Sequence, residues 1–124
     1  MPTLDLTNLP PQLPLKAHAV DVPEFGEGMQ AWVAELSADD RDGFEVAWAE
    51  YRKSKGQENS VGLRAFLVAA CWCSPERKFI ANGDLPKVAQ QLGAMPSAPV
   101  TRLFDKASSI NGIGEEAAKE LEKN

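Results

Sequence analysis

The chain has one histidine, one tyrosine and two cysteines in 124 residues. His18 stands among prolines with no Cys, paired Asp or second His beside it, so no metal shell assembles around it and a surface histidine is expected. The cysteines form Cys71-Trp72-Cys73 within an apolar stretch. On a helix such positions diverge by roughly 200°, which suits neither a local disulfide nor a shared metal, and burial opposes formation of a reactive thiolate. Structural packing in a reducing cytoplasm is the expectation. Positive charge is scarce too: 13 Lys and Arg against 18 Asp and Glu leave a net charge of −5. No basic cluster of the kind that phosphate backbones require is present, so nucleic acid is not an expected partner. Long hydrophobic runs are missing. The longest, 65–73, has nine residues, where a bilayer needs about 20, so no membrane association is expected. The N-terminal stretch has Asp5 where a secretory signal needs a basic start, and no continuous apolar segment follows, so export is not expected.

Signatures of chemistry are equally thin. Gly26-Glu27-Gly28 and Gly112-Ile113-Gly114 lack the strand, third glycine and Lys of a phosphate cradle and read as turn glycines. Asp39-Asp40 and Glu115-Glu116 are adjacent acids that diverge by about 100° on a helix. They sit where helix N-termini favour negative charge. No cofactor, metal or catalytic group is expected, and the chain does not read as an enzyme.

What is present is an ordinary globular composition, 44% apolar and 25% charged, enough for one core. Residues 1–19 hold four of the nine prolines and read as an extended arm. The alternation from Val20, the Glu27-Gly28 turn and the apolar stretch 29–36 predict a hairpin over 20–36, with Pro23 placing or breaking its first strand at an edge. A helical part follows over 37–124. Ser37 caps a helix over about 38–55 whose core face is Phe44, Ala47, Trp48 and Tyr51. A loop over 56–60 then leads to a central helix over about 61–74, ended by Ser74-Pro75. Asp84 caps a short third helix closed by Gly93, and Ser97 opens a fourth with Val100, Leu103, Phe104, Ala107 and Ile110 on one face. Asn111-Gly112 stops it through left-handed dihedrals, and a weak fifth helix spans about 115–122. The expected fold class is mainly α, of α+β type: a small N-terminal β-hairpin followed by four to five short helices around one core. Of the three tryptophans, Trp32 is expected to be partly exposed.

The order of motifs resembles the tail assembly chaperones of long-tailed, siphovirus-type bacteriophages. The residues that carry it are Val22-Pro23-Glu24-Phe25-Gly26, Leu36-Ser37-Ala38-Asp39-Asp40-Arg41-Asp42, Arg102-Leu103-Phe104-Asp105-Lys106-Ala107 and Ile110-Asn111-Gly112-Ile113-Gly114, followed by Glu122-Lys123-Asn124. Family members have Trp where Phe25 stands, Gly-Lys-Glu in place of Ala38-Asp39-Asp40, and Leu in place of Ile110. They also carry an acidic, Gly-containing turn where this chain has Ser74-Pro75-Glu76-Arg77-Lys78.

The resemblance implies a non-enzymatic assembly factor of the host bacterial cytoplasm, absent from the mature virion, that binds the tape measure protein and keeps it soluble while the tail tube protein polymerises around it. It also implies a programmed frameshift. The codons for 122–124 can form a slippery site, and an extended form would then recruit the tail tube protein. Helix four and the segment beyond Asn111-Gly112 are expected to work as a joint, with Phe104 and Ile110 facing the core. Trp32, Ile113 and Leu121 are the candidate surface for the client or for a homo-oligomer. The alternatives are a small structural tail or connector component of the virion and, weakened by the negative charge, a helical DNA-binding regulator.

Overall fold

The computed structural model describes residue 7 and residues 13–54, 62–81 and 83–123. Most of the expected arm, the 56–60 loop and Asn124 lie outside the described residues.

Strand β1 (Ala17–Asp21) pairs antiparallel with β2 (Gln30–Ala34), setting Val20 opposite Ala31 and His18 opposite Val33. Cross-strand partners share a face, so Val20, Ala31 and Val33 form one side of the sheet, and Ala19 and Trp32 the other. The ladder closes where the Val22 N–H donates to the Met29 carbonyl at 2.9 Å. Pro23–Phe25 then forms a single 3-10 turn, because Pro23 has no N–H to continue a strand. β1 takes residues 17–19 from the expected arm. At that end the Glu35 N–H donates to the Lys16 carbonyl at 2.8 Å, and His18 Nε2 lies 2.6 Å from Glu35 Oε2.

Helix α1 (Ala38–Ser54) opens on a reciprocal cap: the Asp40 N–H donates to Ser37 Oγ at 3.0 Å, and the Ser37 N–H to Asp40 Oδ2 at 3.2 Å. Such a cap contributes about 1 kcal/mol. Phe44, Trp48 and Tyr51 pack around Phe66 of α2 (Leu63–Cys71), with ring centroids 6.0, 5.2 and 5.3 Å away. Phe66, Leu67 and Val68 are fully buried, which makes α2 the centre of the core.

The expected helix to residue 74 stops at Cys71. Trp72 turns extended (φ −64°, ψ 126°), and β3 (Trp72–Cys73) pairs with β2, giving a three-stranded antiparallel sheet of order β1-β2-β3. A continuous apolar run has no period that separates buried helix from buried strand. The free edge of β2 decides it, with Trp32 opposite Cys73 and Val33 opposite Trp72. The divergence argument for the two cysteines therefore lapses, since they lie in different elements.

The turn after β3 holds Arg77 at φ 64°, a left-handed conformation that costs a non-glycine residue about 1–2 kcal/mol. Its guanidinium donates to the Glu35 carbonyl at 3.0 and 2.8 Å and to Asp40 Oδ2 at 2.8 Å, offsetting that strain. This turn thus straps the sheet to the start of α1.

Helix α3 (Leu85–Gly93) is capped by Asp84, whose carboxylate accepts the Lys87 N–H at 3.3 Å. Helix α4 (Ser97–Ile110) buries Pro99, Val100, Leu103 and Ala107, with Phe104 and Ile110 partly buried against the core. Gly112 takes the left-handed φ of 64° that ends it, while Asn111 does not (φ −108°).

The expected joint is locked. Asn111 Oδ1 accepts the Leu36 N–H at 2.8 Å, and its Nδ2 donates to the carbonyls of Ala34 (3.1 Å) and Ala107 (3.0 Å). Ile113, expected on the surface, is 3% exposed and belongs to the core, drawn inward by its N–H bond to the Ser108 carbonyl at 2.8 Å. Helix α5 (Glu115–Lys123) leans on the core through Ala117, Ala118 and Leu121 without burying any residue fully. The Leu121 carbonyl accepts Trp48 Nε1 at 2.9 Å and Arg52 Nη1 at 3.1 Å, which ties the last turn to α1. The fold is mainly helical α+β, as its sequence implies.

These placements separate two substitutions that the sequence treats alike. Ile113→Asp puts a charge in the core and is expected to cost about 3 kcal/mol or more, whereas Leu121→Asp should cost about 1.5 kcal/mol or less. Circular-dichroism melts measure both, and equal small shifts would return Ile113 to the surface. Asn111→Ala leaves the Leu36 N–H and the Ala34 carbonyl unpaired and should cost about 2–3 kcal/mol. Asn111→Asp keeps the acceptor for Leu36 but turns a carboxylate oxygen toward the carbonyls of Ala34 and Ala107, and should cost at least as much; a melt unchanged in both variants would remove Asn111 from the framework.

Candidate functional site

The hairpin turn and the C-terminal half of α3 stand apart over the start of α4. Between them lies a groove of about 480 Å³. Val22, Phe25, Met29 and Ala31 line the hairpin side, Gln91, Leu92 and Met95 the α3 side, and Trp72, Val100 and Leu103 complete it. Apart from the amides of Gln30 and Gln91, every lining side chain is apolar. Phe25, Met29 and Met95 remain 43%, 51% and 44% exposed. An open apolar surface of this kind binds by burying area, with its methionines able to change rotamer to suit an occupant.

Local chemistry shapes the hairpin wall. Phe25 lies in the 3-10 turn, beyond the alternation of β1, so no sheet face dictates its direction. Gly26 has φ 148°, and a Cβ there would sit 3.0 Å from Met29 Cγ. Glycine is therefore needed both for the backbone and to let Met29 lie across the turn. The wall is fastened to α4 by Arg102, which donates through Nη1 to the Asp21 carbonyl (2.8 Å) and Glu24 Oε1 (3.0 Å), and through Nη2 to Glu24 Oε2 (2.7 Å). This two-pronged geometry is the strong form of an arginine–carboxylate pair. Hydrogen bonding from Arg102, assisted by a backbone N–H, holds the Glu24 carboxyl down at about 2.

A second hollow, of about 500 Å³, lies at the start of α1. Its lining includes Glu35, Arg41, Asp42, Glu45 and Asn111. Arg41 there already donates to the Asn111 carbonyl at 3.0 Å and lies 3.8 Å from Glu45, so the polar groups answer one another. The apolar groove is the stronger candidate because its surface has no such internal partner.

The residues expected to form a binding surface do not meet. Trp32 is half-buried on the sheet face away from the groove, Ile113 is in the core, and Leu121 packs toward α1. The groove residues that sequence reasoning missed are Phe25, Met29, Trp72 and Met95. A signal existed for the first two: large apolar side chains flank the Gly26-Glu27-Gly28 turn, where polar residues are the norm. Trp72 and Met95 gave none, since one was assigned to a helix and the other sits in a short link.

The cysteines are free and buried. Burial pushes the Cys71 thiol up to about 12 and raises Cys73 as well, the opposite of an activated nucleophile. Among the described residues no group of three or more His, Cys, Asp or Glu is placed to hold a metal ion, and no helix is long and apolar enough to cross a membrane.

The clasp has a pH signature. Glu24 titrates below its ordinary 4.5 when folded, so its stabilising contribution is complete above about 4.5 and lost as the pH falls through about 2. Amide resonances of residues 24–28 should therefore titrate with a midpoint near pH 2 in the parent, and that step should vanish in Glu24→Gln. A step that persists in the variant would mean the wall is not held by Glu24.

No family model, curated protein or solved structure matches this chain.

Proposed function

We propose that this chain is a non-enzymatic phage tail assembly chaperone: it holds the tape measure protein soluble and promotes polymerisation of the tail tube around it. The observation that carries the reading is the open apolar groove built on an acidic domain. A holdase needs apolar surface to offer an aggregation-prone client and like charge to keep the loaded complexes apart, and both are present here. The Val22-Pro23-Glu24-Phe25-Gly26 stretch, one of those that carry the family resemblance, contributes Val22 and Phe25 to the groove. Several weak seats along a long client would hold it by avidity rather than by one tight contact. The protein would act in the host bacterial cytoplasm and leave before the virion is complete. A frameshift-extended form would add the contact with the tail tube protein.

Co-expression provides the test. The product of a long, helical open reading frame beside this gene should move from the pellet to the soluble fraction and co-purify with this chain. Met29→Glu with Met95→Glu, both at exposed positions, should abolish that transfer while leaving the melt within about 1 kcal/mol of the parent. A client equally insoluble with and without the chain would sink the reading, and abundance in purified particles would favour a structural tail component.

A further inference from the structure

We propose that Asn111-Gly112 is a latent site of spontaneous deamidation, kept unreactive by the same hydrogen bonds that join the sheet to α4, and that its reaction irreversibly destabilises any chain in which this junction is left open. The site is separate from the groove and independent of what binds there.

An asparagine followed by glycine closes a five-membered imide readily, because glycine has no side chain to block the approach and leaves the backbone free to turn. The Gly112 nitrogen loses its proton to solvent base and bonds to Asn111 Cγ. The Cγ–Nδ2 bond breaks, and Nδ2 takes up a proton and leaves as ammonia. Water then adds to one of the two imide carbonyls. Opening at Cγ leaves an aspartate, and opening at the main-chain carbonyl routes the backbone through Cγ as an iso-aspartate. Water is the only co-reactant, and nothing is oxidised or reduced.

The fold holds both arms of that ring apart. Asn111 has φ −108° and ψ 8°. At this ψ the tetrahedral Cα turns the Gly112 nitrogen about 120° away from Cβ, whereas a near-planar ring needs the two eclipsed. Turning ψ would draw the Asn111 carbonyl off Arg41 Nη1 (3.0 Å), the Gly112 N–H off the Ser109 carbonyl (3.4 Å) and the Ile113 N–H off the Ser108 carbonyl (2.8 Å). It would also pull Ile113 out of the core. The side-chain arm is held as firmly, with Oδ1 on the Leu36 N–H (2.8 Å) and Nδ2 on the carbonyls of Ala34 (3.1 Å) and Ala107 (3.0 Å). Reaction therefore needs the junction to open first, and its rate follows the open fraction. The products do not fit back. An aspartate at 111 turns a carboxylate oxygen toward the carbonyls of Ala34 and Ala107. An iso-aspartate lengthens the main chain by one carbon at the point where Gly112, at φ 64°, reverses it. Each opening thus risks a lesion that refolding cannot repair.

Peptide mapping by mass spectrometry tests this on the full chain, incubated in mildly alkaline buffer with and without guanidinium chloride. Asn82-Gly83, the chain's other Asn-Gly step, reports the intrinsic rate in denaturant. There Asn111 should deamidate as fast as Asn82, and in native buffer it should react roughly tenfold or more slowly than in denaturant. Arg41→Ala frees the Asn111 carbonyl and leaves the Asn-Gly step itself intact. It should raise the native rate at Asn111 severalfold and leave the rate in denaturant unchanged. The deamidated fraction, separated from the parent by anion exchange, should melt at a lower temperature by circular dichroism. Four results would each overturn the proposal: native deamidation of Asn111 at the denatured rate, an Asn111 that is slow even in denaturant, a native rate unmoved by Arg41→Ala, or a deamidated fraction that melts with the parent.

Discussion

The side chain of Asn111 meets four segments of the chain at once. Its oxygen accepts the Leu36 N–H, and its nitrogen donates to Ala34 and Ala107 and lies 3.7 Å from Cys71 Sγ. Arg41 of α1 donates to its backbone carbonyl at 3.0 Å. The end of the sheet, the start of α1, the end of α2 and the end of α4 are thereby fixed against one another. Asparagine suits this place because it offers acceptor and donor in one short planar group; an aspartate loses the donors and a leucine both. Everything beyond depends on it. Gly112 can reverse the chain only from a fixed point, Ile113 then enters the core, and α5, too short to be helical alone, gains a surface to lie on.

Two further long-range ties complete this framework. Glu24 meets Arg102 from 78 positions away, and Asp40 meets Arg77 from 37. Most of these partners fall in four separate stretches of the chain, Glu24 in 22–26, Leu36 through Arg41 in 36–42, Arg102 in 102–107 and Asn111 in 110–114. The motifs are spaced along the chain but interlock in space. Such a pattern reports chiefly what the fold needs to close, and it bears on binding only where a stretch also builds a groove wall, as the first does with Phe25. Residues that stand out in the sequence for their motif are here mostly the fasteners, and the open surface is made by plainer neighbours.

This explains what could be read in advance. The faces of α1 and α4 were legible because over 14 or more residues the apolar period has room to declare itself, and Ser37 and Asp84 marked helix starts by a local chemistry that needs no partner. Short pieces were not legible. Whether Trp72 and Cys73 continue a helix or join a sheet depends on a vacant edge forty residues earlier in the chain, and whether Ile113 faces in or out depends on Asn111. The groove is harder still, because its walls come from the hairpin, β3, α3 and α4, and no one of these segments looks like a site alone.

The groove persists although the sequence has an easy way to close it. Ala31 lies on its wall, where a leucine or phenylalanine would fill much of the space and cover Met29, and burying each large apolar side chain now left half open would add about 1–2 kcal/mol. In a domain this small, with stability of about 5–15 kcal/mol in total, leaving that gain unused is a large concession. The core shows no such slackness, with Phe66, Leu67 and Val33 at 0% exposure. Close packing inside and an apolar gap at the rim, held open by a charged clasp rather than by collapse, are what a surface requires if a second molecule is to supply the missing contacts. The free energy of covering Phe25, Met29 and Met95 is then released on binding instead of on folding.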